Sequence, residues 1–138
     1  MPSSKTPREA RTEIFADFRA YWLASAEATV PLAWDNVDFK TAGTEFVLVQ
    51  FQHATGTIAA LGNEKYRREA LLTFNIYTVE GLGKRRSDEI GEAALAYIET
   101  FALSVFRVRE PGFNEIGVVD GYYQSSVIAT IEYDALRT

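Results

Sequence analysis

The chain has no cysteine, and this absence excludes a disulfide framework and any chemistry that depends on a thiolate. His53 is the only histidine, so a metal site built from several imidazole or thiolate ligands is excluded as well. No apolar run approaches the roughly 18 residues that a membrane-spanning helix requires, and residues 1–5 lack the apolar core of a signal peptide. We therefore expect no cofactor, no metal and no membrane partner.

Positive charge is also in short supply. The chain has 14 basic and 19 acidic residues, which gives a net charge of −5, and its pI is near 4.9. This balance argues against a general nucleic-acid binder, because such proteins normally carry a basic face. A chain of 138 residues is long enough to bury roughly 70% of its unfolded surface in one core. No repeat or linker divides it, so we expect a single domain that spans residues 1–138.

The first predicted element is a long amphipathic helix. Thr6 can act as its N-cap, Pro7 suits the first helical position, and Glu9 completes a capping box. Pro31 should end the helical pattern. A stripe at helical spacing should face the core, and it consists of Ile14, Phe18, Tyr21, Trp22 and Ser25.

An extended segment, residues 32–39, follows and has a predicted turn at Asp35-Asn36. We expect its aromatic residues, Trp34 and Phe39, to pack in the core or at a sheet edge. Two strands are then predicted by alternation, over residues 46–53 and 71–79. The second face of this sheet is half polar and carries Phe46, Leu48, Gln50, Tyr77 and Ile128.

The connection between these two strands, Ala54 to Tyr66, is far longer than a tight hairpin. Its ends could extend the strands into a protruding flap, and Leu61 is its one large aliphatic side chain. Long loops of this kind are usually functional or mobile. We therefore expect the flap to become ordered against a partner.

The second half of the chain predicts one helix and two more strands. The helix should cover about Ser87 to Ala102, with Ser87 as its cap. A strand should follow at residues 105–109 and be broken at Pro111-Gly112, and the last strand should run over residues 122–133. This order of elements predicts an α+β fold, in which two helices pack on one face of a mainly antiparallel β-sheet.

Candidate catalytic motifs are weak. The loop Gly81-Leu82-Gly83-Lys84 joins a strand to a helix as a P-loop does, but Thr78 and Arg85 occupy the positions that need a glycine and a hydroxyl residue. His53 lies at a strand end, where we expect it to be near solvent, and there is no nucleophile elbow to accompany it. Nothing selects a pair among the scattered carboxylates, which include Glu110, Glu115 and Asp134. We therefore predict no catalytic residues.

Two clusters of positive charge remain to be explained. Lys84, Arg85 and Arg86 precede a helix N-terminus, where cations oppose the helix dipole by roughly 0.3–1 kcal/mol each. Such a cluster on an acidic protein is either a contact with an acidic partner or a solvated loop. The second cluster lies beside the flap and consists of Lys65, Arg67 and Arg68.

The order and spacing of these segments resemble the tail terminator, or tail completion, proteins of long-tailed bacteriophages, the group that includes the lambda-type terminator. The resemblance covers nearly the whole chain. It depends on the first helix and the segments 31–39, 47–51, 61–62, 66–68 and 72–77. The Gly81-x-Gly83 loop, the second helix and Asp120-Gly121-Tyr122-Tyr123 complete it.

The resemblance implies a tail terminator-like subunit without catalytic residues. It implies a hexameric ring that caps the tail tube, ends its polymerisation and offers a surface to the head-completion or connector protein. DNA would pass through this acidic ring without specific binding, because like charges repel. The protein would belong to the tail-neck region of the virion and assemble in the host cytoplasm.

These expectations assign roles to particular residues. Subunit contacts should involve Leu48, Gln50 and Tyr77. Contacts with the tail tube or another partner should involve Leu61, Lys65, Arg67, Arg68, Lys84, Arg85 and Arg86. Two alternatives stay open: another neck protein, such as a head-tail connector or stopper, and a small-molecule-binding domain or enzyme, which would need a deep pocket with convergent polar groups.

Overall fold

The computed structural model describes residues 6–34, 45–53, 57–60, 65–79, 84–101, 103, 106–119 and 122–136. For residues 57–60, 65–67, 119 and 134–136 it describes the backbone alone. The elements, in chain order, are α1 Pro7–Leu23, β1 Leu32–Trp34, β2 Phe46–His53, β3 Thr57–Ala60, β4 Lys65–Val79, α2 Lys84–Glu99, β5 Arg107–Val119 and β6 Tyr122–Leu136.

The strands form one mainly antiparallel sheet in the order β1-β2-β4-β6-β5, and β3 pairs with the beginning of β4. The β1–β2 pair is the parallel one among the described strands. The longest ladder joins β4 to β6, from Lys65 opposite Leu136 to Val79 opposite Tyr122. The sheet is thus built around two long central strands that are distant in the sequence.

Both helices pack on the same face of the sheet, as predicted for an α+β fold. The Phe18 ring of α1 lies 4.3 Å from that of Phe74 on β4 and 5.0 Å from that of Tyr97 on α2. Alternate residues of the strands complete this core, which includes the fully buried Val47, Val49, Phe51, Leu72, Ile76, Val127, Ala129 and Ile131.

The start of the first helix was predicted correctly in detail. The Thr6 hydroxyl accepts a hydrogen bond from the Glu9 N–H at 3.1 Å, and the Glu9 carboxylate accepts one from the Thr6 N–H at 3.0 Å. Because both unpaired donors are satisfied, the capping box fixes where α1 begins. Ala10, Ile14, Phe18 and Trp22 form its buried stripe, while Tyr21 lies at the edge and donates its hydroxyl to the Ala93 carbonyl.

Three predictions about the later elements need correction. Helix α2 begins at Lys84 and ends at Glu99, so Ser87 is an interior residue and not the cap. Its side chain is fully buried and lies 2.7 Å from the Ser125 hydroxyl. Strand β5 continues through Pro111-Gly112, because the sheet absorbs the proline as a shift in register between Arg109 and Gly112. Strands β4 and β6 are also longer than predicted.

The predicted extension of the flap into strands is confirmed where the structure describes it. Strand β3 pairs antiparallel with β4 in the flap region, with Thr57 opposite Arg67 and Ile58 opposite Tyr66. Strand β4 therefore begins at Lys65, six residues before the predicted Leu71. The predicted Asp35-Asn36 turn, Phe39, Leu61 and the Gly81-Leu82-Gly83 loop lie outside the described residues.

Candidate functional site

The face of the sheet opposite the helices, here called the open face, carries the predicted subunit contacts. Leu48, Gln50 and Tyr77 project to this face, because their strand neighbours Val47, Val49 and Ile76 are buried under the helices. Ile128 lies on it as well, opposite Thr73. No helix in the described part of the chain packs on the open face. The three predicted contact residues thus share one surface.

A hydrogen-bonded row crosses the middle of the open face. The Asn75 amide on β4 donates to the Gln50 side-chain oxygen on β2 at 2.8 Å. The Asn75 side-chain oxygen accepts a hydrogen bond from the Ser126 hydroxyl on β6, also at 2.8 Å. The orientation of both amides is therefore fixed by the fold, which leaves the Gln50 amide nitrogen able to donate to another molecule.

An aromatic cluster occupies the end of the open face next to this row. The rings of Phe46 and Tyr77 stack with their centroids 4.5 Å apart, and Tyr122 meets both of them edge-on at 5.7 and 6.1 Å. Burial raises the pKa of the Tyr77 hydroxyl above its ordinary value. The three rings pack on one another, so the cluster is a half-buried aromatic surface.

The other end of the open face is held by ion pairs. Arg109 on β5 pairs with Glu132 on β6 and, at 3.2 Å, with Glu69 on β4. Glu132 is only 5% exposed, so its charge needs this partner. The pairing links three neighbouring strands and stabilises the sheet locally.

Arg86 does not lie at a free surface, which differs from its predicted role in a partner contact. Its guanidinium binds Glu45 through two hydrogen bonds of 2.6 and 2.8 Å and binds Glu27 at 2.8 and 2.9 Å. These bonds to Glu45 are the main reason that the pKa of Arg86 is raised. The side chain ties the start of α2 to the segment after α1 and to the start of β2.

The other two cations of this cluster are exposed. The Lys84 side chain is 67% exposed and its ammonium lies 3.9 Å from the Glu115 carboxylate, a weak surface pair. Arg85 is also exposed. The predicted contact with an acidic partner therefore rests on Lys84 and Arg85 in this part of the molecule.

In the second basic cluster, Arg68 is the residue whose side chain the structure describes. Lys65 and Arg67 lie in β4, and their side chains lie outside the described part of the structure, as does the whole of Leu61. Arg68 is half-buried and lies opposite Tyr133, on the helix-covered side. Its neighbours there include His53, which was predicted to be near solvent. Instead, His53 is half-buried and lies 2.7 Å from the Tyr133 hydroxyl.

The described residues form a surface depression that we considered as a binding site for a small molecule. One depression of about 340 Å³ lies between the end of α1 and β1, and Trp22, Leu23, Val30 and Trp34 line it together with Arg19. These side chains do not present a convergent set of polar groups. Among the described residues, no group of three acidic or histidine side chains could hold a metal ion. No helix in this part of the chain is both long and apolar enough to cross a membrane.

Comparison with known proteins supports the fold and leaves the function open. No protein-family model matches the chain, and no curated protein matches it either. One solved structure is similar over 94% of this chain and 96% of its own, with a TM-score of 0.69 and 17% sequence identity. At this level of identity the likeness establishes the fold alone: an α+β domain with a mainly antiparallel sheet.

Proposed function

We propose that this protein is a structural subunit of a bacteriophage tail. It forms a ring that caps the tail tube and ends its polymerisation. The resemblance to tail terminators implies six subunits in this ring. The ring then offers its outer surface to the head-completion or connector protein. The observation that carries this proposal is the open face, which is long and half polar, and which combines an aromatic cluster with amides held by hydrogen bonds.

The open face has the composition expected of a subunit contact. Interfaces favour aromatic side chains at their centre, with polar groups and fixed hydrogen-bond donors around them. Phe46, Tyr77 and Tyr122 supply the aromatic centre, and Gln50 and Asn75 supply the oriented amides. Because these groups are already held by the fold, binding orders few additional side chains, which favours affinity.

The geometry also suits a closed ring. The open face lies on one side of the domain and the helices lie on the other, so each subunit presents two different surfaces. Contacts between unlike surfaces join subunits head to tail, and they close into a ring when the rotation permits. The proposal is that the open face of one subunit packs against a different surface of the next.

The proposal is tested by placing a charge in the aromatic cluster. Tyr77→Glu puts a carboxylate among the rings of Phe46 and Tyr122, and burying it in an interface would cost several kcal/mol. We expect the variant to remain folded and monomeric by analytical ultracentrifugation at concentrations where the unsubstituted chain forms rings. Tyr77→Phe keeps the ring and adds no charge, so it is the matched control and should assemble normally.

Rings of the unsubstituted protein also distinguish a tail terminator from the alternative, a head-tail connector or stopper. Rings that bind the ends of purified tail tubes and stop their growth support a terminator, whereas rings that bind head connectors alone support a stopper or connector. Rings formed equally well by Tyr77→Glu would contradict the proposed interface. Circular dichroism of each variant separates a lost interface from a lost fold.

A further inference from the structure

A cluster of basic and aromatic side chains lies at one end of the helix-covered face, away from the open face. We call it the basic corner, and it consists of Arg11, His53, Arg68 and Tyr133. Arg11 extends from α1 and donates a hydrogen bond of 2.8 Å to the Phe51 carbonyl on β2. His53 lies at the end of β2, Arg68 on β4 and Tyr133 on β6, so four elements converge here.

The positive charge of the basic corner is not neutralised by the described residues. Neither Arg11 nor Arg68 forms an ion pair with a carboxylate in this part of the chain. Arg86 and Arg109, by contrast, each pair with two or more carboxylates. Although the chain has an excess of acidic residues, its described part thus places no carboxylate against the guanidinium groups of Arg11 and Arg68.

Arg68 carries the clearest sign of an unfilled site. Its Nε atom is buried and, within the described structure, has no hydrogen-bond partner. Buried polar groups are nearly always hydrogen-bonded, because an unpaired donor loses its hydrogen bonds to water without replacement. The guanidinium has five N–H donors in a planar fork, a geometry that fits the oxygens of carboxylates and phosphates.

We propose that the basic corner binds a phosphate group, with Arg68 as the principal donor and Arg11 supplying the second positive charge. His53 and the Tyr133 hydroxyl lie beside them and share one hydrogen bond of 2.7 Å. When the fully buried Tyr133 hydroxyl donates to Nε2 of His53, the Nδ1–H of His53 remains available as a donor to an oxygen of the anion. Phosphate offers several acceptors in a small volume and a charge that balances two guanidinium groups. The chain carries a net charge of −5, which disfavours a polyanion, so we assign the site to free inorganic phosphate.

The titration of His53 provides a readout specific to this site. Burial lowers the pKa of His53, and the positive charges of Arg11 and Arg68 lower it further. The Tyr133 hydroxyl also faces the imidazole and is neutral near pH 7, because burial raises its pKa. A bound anion would favour the imidazolium form and raise the pKa of His53. By linkage, the anion should then bind more tightly as the pH falls toward the pKa of His53.

The test uses nuclear magnetic resonance, because the single histidine gives an unambiguous ring signal. Titration with inorganic phosphate should move the His53 signal saturably. Sulfate should do the same and raise the pKa of His53 without the complication of titrating itself. Arg68→Gln should weaken binding at least tenfold, and Arg68→Lys should weaken it less, because lysine keeps the charge but loses the fork. Arg85→Gln, at an exposed distant position, is the control and should bind as the unsubstituted chain does.

A parallel titration with a short DNA duplex identifies the source of the phosphate group. Binding of inorganic phosphate but not of the duplex supports the assignment to the free anion. Duplex binding that is lost in Arg68→Gln places the phosphate group on a nucleic acid and overturns that assignment. The absence of saturable shifts in both titrations, or equal shifts in Arg68→Gln, would overturn the site itself. The ring test uses the opposite face, so the two proposals can fail independently.

Discussion

At the scale of single residues, Gly91 is the glycine, among those the structure describes, with the least space for a side chain. It lies in the interior of α2, and a Cβ atom built there would stand only 2.2 Å from Cε2 of Phe113 on β5. Glycine normally weakens a helix by about 1 kcal/mol relative to alanine. Its presence here is explained by the close approach of the helix to the sheet.

We expect Gly91→Ala to destabilise the fold by about 1–3 kcal/mol, because overpacking outweighs the gain in helix propensity. Denaturant unfolding should show this as a lower midpoint. Gly112→Ala is the matched control, since its Cβ would meet nothing within 4 Å. Adding Gly91→Ala to a Phe113→Leu background should be nearly neutral. An increase in stability from Gly91→Ala alone would contradict this account.

At the scale of elements, Arg86 joins three parts of the chain that are distant in the sequence. Its side chain is 26% exposed, and the side chains of Glu27 and Glu45 are 13% and 25% exposed. The pairs are therefore partly shielded from water and from salt. Removing the cation leaves two carboxylates close together without a counter-charge, which is costlier than losing an exposed pair.

We expect Arg86→Gln to lower the free energy of unfolding by about 2–3 kcal/mol. This is at or below the roughly 3–5 kcal/mol for breaking a fully buried pair, because these side chains keep some exposure to water. Arg85→Gln changes the neighbouring exposed residue and should change stability by less than about 0.5 kcal/mol. Thermal unfolding of both variants at neutral pH provides the measurement. Equal stability of the two variants would show that the network contributes little.

The elements differed in how well the sequence predicted them. The start of α1 was predicted in detail because its signals are local: Thr6 and Glu9 reach each other within one turn. The end was not, because the helix stops at Leu23, before the predicted Ser25. The start of α2 was not, because Ser87 looks like a cap in sequence, whereas its burial and its contact with Ser125 depend on a distant strand. Tertiary packing overrides a local preference of this size.

In the candidate site, too, local features were predicted from the sequence and contacts between distant segments were not. Alternation along β2 and β4 correctly placed Leu48, Gln50 and Tyr77 on one face, since side-chain direction in a strand follows from position alone. The pairing of Arg86 with Glu27 and Glu45 was not predictable, because three segments must first come together. The basic corner was missed for the same reason: Arg11 and Arg68 are 57 positions apart.

At the scale of the whole molecule, the exposed cations at the start of α2 should matter for partner binding rather than for folding. If the protein caps tail tubes as proposed, we expect the double substitution Lys84→Glu and Arg85→Glu to weaken capping, because it reverses the charge offered to the proposed acidic partner. The effect should shrink as salt is added, since screening weakens exposed pairs. The monomer's stability should stay within about 0.5 kcal/mol of the original, as is usual for surface positions.

Electron microscopy of tube lengths, with and without each protein, provides the measurement. The double variant Lys84→Gln and Arg85→Gln removes the charge without reversing it. Its loss of tube capping should lie between that of the unsubstituted protein and that of the charge-reversed variant. Tube capping that is unaffected by charge reversal at low salt would exclude this surface from the partner contact.

The long ladder between β4 and β6 has a consequence for how the chain reaches this structure. Helix α2 and all of β5 lie between the two strands in sequence, so their pairing closes a large loop. Strands β5 and β6 face each other across a two-residue connection and can meet on a microsecond scale. Pairing of distant strands is slow by comparison.

Until β6 arrives, one edge of β4 lacks its native neighbour and could accept a strand from another nascent copy. The order in which the strands meet thus makes the protein's yield sensitive to its concentration during folding.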